Sequence, residues 1–361
     1  MSTLHELHQL GQSLWLDNIS RVILDNGTMK KYVDEFEITG LTSNPSIFDK
    51  AISGSDAYNK GIAESAETAK SSEALFIELA LQDLRRAAEL FKPAFKRSNM
   101  MDGWVSMEVS PLLAADTKGS IAAAKQIHEQ AATENLLVKI PGTPEGVPAI
   151  EESIFNGIPI NVTLLFSAEQ YLASAHAYLR GIERRIQAGR DPVVRSVASL
   201  FVSRWDKASA DELPEELHNK LGIAISQRTY RDYRELLASP RWKKLVDAGA
   251  QPQRLLWAST STKDPKAPDT LYVEALAAPD TINTIPERTL LAFADHGKVG
   301  APMAEDGGDC EAVLKKISKA GVDIDALAQR LQSDGAESFV KSWNHLLKGV
   351  AYKAKALASS H

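Results

Sequence analysis

Short aliphatic runs bounded by turn residues alternate along the chain with longer stretches whose apolar residues recur every three to four positions. The first pattern reads as strands buried on both faces and the second as amphipathic helices, so their alternation predicts parallel α/β architecture. The strand-like runs fall at residues 13–19, 38–43, 104–110, 136–140, 160–165, 194–202, 255–259 and 272–276. Between them the spacing predicts helices over 3–11, 27–36, 45–51, 55–66, 72–96, 116–133, 144–156, 167–188 and 227–248, with a shorter helix and a loop over 207–226. From Pro286 onward the chain reads as helical, broken at Gly307-Gly308. Eight strands with helices between most of them predict an α/β fold of the closed (β/α)8 TIM barrel type with additional N- and C-terminal helices, one unit over residues 1–361. An open doubly wound sheet lacks its usual support, because no G-x-G-x-x-G follows a strand and G-x-x-x-x-G-K-[ST] is absent.

Several strands carry residues that an apolar core would not choose. Lys139 sits inside the run Leu136 to Gly142. A lysine in a strand buried on both faces must pair, give up its proton or reach back to water. Desolvation favours the neutral amine, the form that attacks a carbonyl to make a Schiff base, whereas a strand-end lysine can also snorkel into solvent. Asp17 falls in the second half of the first strand and Glu108 in the second half of the third. Carboxylates at that depth can move protons during iminium chemistry, or can simply pair with Lys139.

Asn161 and Thr163 share one face of the fifth strand, Thr42 and Asn44 one face of the second, and Ser199 and Phe201 one face of the sixth. Polar groups so placed can bind substrate hydroxyls, while Asn44 before Pro45 fits a turn equally well. Arg204 follows the sixth strand, Ser259 ends the seventh and Lys263 follows it, and their chemistry suits a phosphate dianion.

Composition narrows the class without changing the picture. Of 361 residues, 44% are hydrophobic and 24% charged, close to soluble globular averages. A net charge of -6 argues against nucleic acid or an anionic membrane as the main partner. Cys310 is the only cysteine, which excludes an intramolecular disulfide and a thiolate metal cluster and fits a reducing cytoplasm. His5-Glu6-Leu7-His8 has the wrong spacing for the H-E-x-x-H zinc motif, and no metal site is expected. The first twelve residues lack the apolar core of a signal peptide, and no stretch approaches a membrane span.

Five stretches add a resemblance: Leu41-Thr42-Ser43-Asn44-Pro45-Ser46, Val105-Ser106-Met107-Glu108-Val109, Leu137-Val138-Lys139-Ile140-Pro141, Asn161-Val162-Thr163-Leu164-Leu165-Phe166-Ser167 and Trp257-Ala258-Ser259-Thr260. Together they make the sequence resemble the transaldolase family over most of its length, in its longer bacterial branch. The resemblance implies a cofactor-free Schiff-base enzyme of the pentose phosphate pathway. It would move a dihydroxyacetone unit from sedoheptulose 7-phosphate or fructose 6-phosphate to glyceraldehyde 3-phosphate or erythrose 4-phosphate.

By the same resemblance Lys139 forms the iminium, Asp17 takes the C4 hydroxyl proton, and Glu108 serves the proton transfers through a water positioned by Thr163. Asn44 and Asn161 would hold the dihydroxyacetone hydroxyls with Ser199 alongside, and Thr42 and Phe201 complete the substrate-binding set. Arg204 and Ser259 would take the phosphate. Many relatives carry an arginine two residues beyond the serine matching Ser259; here that place is Ser261, and Lys263 is the candidate substitute. Fructose 6-phosphate aldolases of the same superfamily have glutamine in place of Glu108 and tyrosine in place of Phe201, so both residues fall on the transferase side. A free aldolase and a sugar-phosphate-binding barrel without turnover are the alternatives. The sequence leaves monomer and homodimer open, and leaves the 335–358 helix to cover the barrel mouth or form an interface.

Overall fold

The computed structural model describes residues 2–67 and 69–359; Met1, Thr68, Ser360 and His361 lie outside the described residues. Eight parallel strands follow one another around a barrel in the order β2-β1-β8-β7-β6-β5-β4-β3. They are β1 (Ser13–Leu16), β2 (Gly40–Leu41), β3 (Val105–Glu108), β4 (Leu136–Pro141), β5 (Ile160–Leu165), β6 (Ser196–Phe201), β7 (Gln253–Ala258) and β8 (Thr281–Ile285). The ends of the ladder meet at a seam, where the Leu41 N–H donates to the Trp104 carbonyl at 2.9 Å and the Ser43 hydroxyl to the Ser106 carbonyl at 2.7 Å. Gly40 makes the seam possible, because a Cβ there would lie 2.7 Å from both the Trp104 oxygen and the Trp15 ring. The expected (β/α)8 barrel with added helices is the observed one.

Every residue of the strands is buried, as parallel strands covered on the outside by helices require. Alternation along β4 sends Leu136, Val138 and Ile140 to one face and Leu137 and Lys139 to the other. Each fully buried aliphatic side chain contributes roughly 1.5–3 kcal/mol, and this burial offsets the cost of placing an amine in the same strand.

Some boundaries differ from the expected ones for identifiable reasons. Residues 272–276 are not the eighth strand: Leu271–Ala275 is a short helix, and Tyr272, Val273 and Leu276 are buried with the one-sided spacing of a helical turn. The strand lies further on at Thr281–Ile285, where Thr281, Asn283 and Thr284 broke the apolar signal. The expected 227–248 helix starts earlier and is two helices, Leu221–Ala238 and Pro240–Asp247, because Pro240 holds Ser239 extended (φ -66°, ψ 147°). β1 and β2 stop short of the expected ends. Asp17 therefore follows β1 directly instead of lying within it, and Asn44 caps the Pro45–Ser53 helix.

The C-terminal segment resolves into three helices, Glu287–His296, Cys310–Lys319 and Ile324–Ala358. The last of these runs across the open end of the barrel. Gln332 donates to the carbonyls of Gly142 (3.0 Å) and Leu164 (2.9 Å), just beyond β4 and within β5, and Ser342 shares a hydrogen bond with Ser46 (2.7 Å). No helix among the described residues is long and apolar enough to cross a membrane.

Candidate active site

Parallel strands in a barrel aim all their C-terminal ends at one mouth, so residues at equivalent depths on different strands converge there. At that mouth a cavity of about 120 Å³ is lined by Asp17, Lys139, Thr163 and Arg204, among others. A wider groove of about 710 Å³ lies at the opposite end beside the Thr28–Glu35 and Ser72–Arg97 helices, but among the described residues no buried lysine or cysteine lines it. Lys30 and Asp34 on its rim pair with each other, so convergent chemistry singles out the smaller cavity.

Lys139 is 4% exposed, on the barrel-facing side of β4. Its ammonium donates to the Ser43 carbonyl at 2.9 Å and lies 3.4 Å from a carboxylate oxygen of Glu108, itself 4% exposed. β3 and β4 pair Glu108 with Lys139 in register, so the contact follows from strand pairing. Neither Glu108 oxygen has a hydrogen-bond partner among the described residues, and neither does the buried Thr163 hydroxyl. Burial pushes the Glu108 pKa up, the Lys139 charge pulls it down, and the Asp17 charge adds to the upward push. A carboxyl raised in this way holds its proton more readily than a solvated one, as a group that both takes and returns a proton must.

Asp17 stands at the end of β1 and accepts from the Thr42 hydroxyl at 2.7 Å. Burial raises its pKa; the Thr42 hydrogen bond and then the charges of Lys139, Lys263 and Arg204 oppose that rise. The Thr42 hydroxyl has one proton, which goes to Asp17. Its second contact, 2.6 Å to the hydroxyl of Thr284 on β8, is therefore one in which Thr284 donates.

The neutral polar residues form a second line. Ser199 donates to Asn161 Oδ1 at 2.7 Å, and Asn161 Nδ2 donates to the Ser106 hydroxyl at 3.2 Å. Asn44 Oδ1 accepts the Ile47 N–H at 3.0 Å as a helix cap, so its amide N–H groups are the ones available to a ligand. Cap and cavity-lining roles coexist in this residue.

At the outer rim Arg204 stands over the Phe201 ring at 5.0 Å. Ser259 shares a hydrogen bond with Ser203 at 2.9 Å, and its left-handed backbone (φ 57°) turns the chain as β7 ends. Lys263 is an exposed residue that also lines the cavity. Partial burial and then the charges of Arg204 and Lys207 lower its pKa. Every candidate side chain apart from Glu108 and Asn161 lines this cavity; Glu108 reaches it through Lys139 and Asn161 through Ser199.

Comparison with known proteins bears on what such a cavity does. Residues 14–350 match the model of the family described as Transaldolase/Fructose-6-phosphate aldolase. The chain belongs to this family. It is 42% identical to a protein named transaldolase from Frankia alni, over 96% of both chains. It is 41% identical to the transaldolase of Thermobifida fusca (98% of this chain, 99% of that one), and 38% identical to transaldolase 2 of Nostoc punctiforme (99% and 100%).

Five residues of the lining, Ala258, Ser261, Thr284, Pro286 and Phe339, were not among the site residues expected from the sequence of this family member. Thr284 escaped because its strand was placed nine residues too early, and the alternation of Thr and Ile through Thr281–Ile285 was the signal that could have found it. Ser261 was noted only as a missing arginine, yet its hydroxyl accepts from the Lys263 ammonium at 2.5 Å. Phe339 comes from the C-terminal helix, and no local pattern says which part of the barrel a terminal helix will cross.

Proposed function

We propose that the protein is a transaldolase that carries a dihydroxyacetone unit from a ketose phosphate to an aldose phosphate through a Schiff base on Lys139. The donors are sedoheptulose 7-phosphate or fructose 6-phosphate and the acceptors glyceraldehyde 3-phosphate or erythrose 4-phosphate, which places the enzyme in the pentose phosphate pathway of the cytoplasm. The observation that carries this reading is a buried amine beside a buried carboxyl, in a cavity whose rim is cationic, within a chain of this family.

The amine of Lys139 adds to the ketose C2 carbonyl, and the carbinolamine loses water to give an iminium. Glu108 supplies and recovers protons in these steps; Thr163, whose hydroxyl is unengaged, is suited to holding the water between them. Asp17 takes the C4 hydroxyl proton, the C3–C4 bond breaks, and its electron pair moves into the iminium to form an enamine. The shortened aldehyde leaves, an acceptor aldehyde takes its place, and addition with proton return from Asp17 builds the new ketose. Water then releases it from Lys139. Asn44, Asn161 and Ser199 hold the hydroxyls of the three-carbon unit, Thr42 orients Asp17, and Phe201 walls the cavity. Arg204, Ser259 and Lys263 bind the phosphate, with Lys263 in the role that relatives give to an arginine.

The family name covers a second reaction, release of free dihydroxyacetone. Glu108 and Phe201 favour transfer by resemblance, because the aldolases of the superfamily have glutamine and tyrosine at these places. Borohydride reduction in the presence of fructose 6-phosphate, read by peptide mass spectrometry, is expected to label Lys139 with the three-carbon or six-carbon adduct and to leave Lys139→Ala unlabelled. A label on another lysine would remove the nucleophile from this account.

A further inference from the structure

Arg204 is held in an unusual way. None of its guanidinium N–H groups is engaged by a hydrogen bond or ion pair among the described residues, and its position is set by the two aromatic rings beside it, Phe201 at 5.0 Å and Phe339 at 5.9 Å. Phe201 belongs to β6, next to Arg204 in the chain, but Phe339 comes from the C-terminal helix. One turn earlier on the same face of that helix is Gly335. A Cβ at Gly335 would lie 3.2 Å from Arg204 Nη1 and 3.0 Å from Leu164 Cδ2, so the absent side chain is what lets the guanidinium lie against the helix. The helix is tied at this place by Gln332 to the Gly142 and Leu164 carbonyls and by Ser342 to Ser46.

We infer that Gly335 and Phe339 form a seat for Arg204 and thereby set the enzyme's preference for phosphorylated over unphosphorylated sugar donors. This rests on the reading of Arg204 as a phosphate ligand. A long side chain without polar partners loses rotamer freedom when an anion binds it, and seating it beforehand reduces that cost. Aromatic faces can seat a guanidinium without using its N–H groups, which stay free to bind a phosphate in fork geometry. The two residues are positioning residues, because they act through Arg204.

The test compares kcat/KM for fructose 6-phosphate and for fructose, with erythrose 4-phosphate as acceptor, in the full chain. The variants are Phe339→Leu, Gly335→Ala and Arg204→Ala. Phe339→Leu and Gly335→Ala are expected to lower the phosphorylated-to-unphosphorylated ratio by ~3- to 10-fold, mainly through KM for fructose 6-phosphate, and Phe339→Tyr to restore most of it. Alanine favours helix more than glycine does, so a fall in the ratio for Gly335→Ala with an undiminished Tm separates the effect from unfolding. If Arg204→Ala leaves the ratio unchanged, Arg204 is not the phosphate ligand and the underlying reading fails. If Arg204→Ala collapses the ratio while Phe339→Leu and Gly335→Ala leave it intact, or slow both donors equally, the seat is overturned and the reading of Arg204 stands.

Discussion

Two buried carboxylates mark the two ends of β3, and the barrel treats them in opposite ways. Asp102, 7% exposed, precedes the strand at the barrel floor and accepts from the Ser13 hydroxyl, the Trp15 indole (2.7 Å), the Thr39 hydroxyl (2.8 Å) and the Gly103 N–H (3.0 Å). Arg254 donates in turn to Ser13 at 2.9 Å, and to the Met101 and Thr281 carbonyls. Glu108 ends the strand at the mouth and, among the described residues, has only the Lys139 ion pair. A carboxylate with four donors is fixed in place and closes the floor. One with none costs stability but leaves its lone pairs and its proton available to a substrate. The same strand thus separates a structural end from a chemical end.

Removing the floor carboxylate is the strongest way to test that division. Asp102→Ala strands three buried side-chain donors and one backbone N–H, and is expected to cost about 3–5 kcal/mol of unfolding free energy, read from denaturant titration. Turnover per folded molecule, measured well below the transition, should stay within about twofold of wild type. A large fall in kcat with stability intact would mean that the floor takes part in the chemistry.

At the mouth the expected effects are reversed. Glu108→Gln should lower transfer by roughly 100-fold, the scale of one lost acid-base group, and raise the proportion of free dihydroxyacetone released. Stability should not suffer. Burial holds the Glu108 pKa above its ordinary 4.5, so the folded state binds this proton more tightly than the unfolded chain does. Its ionisation therefore costs stability increasingly as pH rises from the unfolded value through the folded one, and the glutamine variant is spared that cost at neutral pH. Lys139 keeps the Ser43 carbonyl as partner. Thermal scans of both proteins at pH 4 and pH 7 check the sign: the variant should gain on wild type at the higher pH.

The contrast between the ends also explains what could be read from the chain alone. Lys139, Glu108 and Asp17 were legible because each interrupts an aliphatic run, and parallel barrel geometry then brings their strands' ends together. Asp102 stands in a turn before Gly103, where an aspartate is ordinary, and three of its four donors come from residues distant in sequence. β8 was misread for a related reason: a strand in which Thr281, Asn283 and Thr284 interrupt the isoleucines loses the apolar signature that marks strands, while the Leu271–Ala275 helix before it displays one. The passage of the Ile324–Ala358 helix over the mouth depends on tertiary contacts such as Gln332 to Leu164, which no periodicity encodes.

Thr284, the mouth residue that this misreading hid, gives the finest test. Its hydroxyl donates to Thr42, whose own proton goes to Asp17, so the three groups form a directional chain in which each donation strengthens the next. Thr284→Val keeps the shape and removes the first donor. Thr42 then polarises less, the ionised form of Asp17 loses part of its stabilisation, and the Asp17 pKa rises further above its already raised value. If Asp17 is the base proposed for the C4 hydroxyl, it must be ionised to accept that proton, and the acid limb of kcat/KM should move to higher pH by a few tenths of a unit, with about a two- to fivefold loss at the plateau. Measuring the profile in a Glu108→Gln background removes the other buried carboxyl at the mouth whose pKa burial raises. Thr284→Ser, which restores the donor without the methyl, should return the limb to its original position. A Thr284→Val enzyme that is slower with the limb unmoved would make Thr284 a packing residue, and the mouth would then resemble the floor more closely than the two carboxylates suggest.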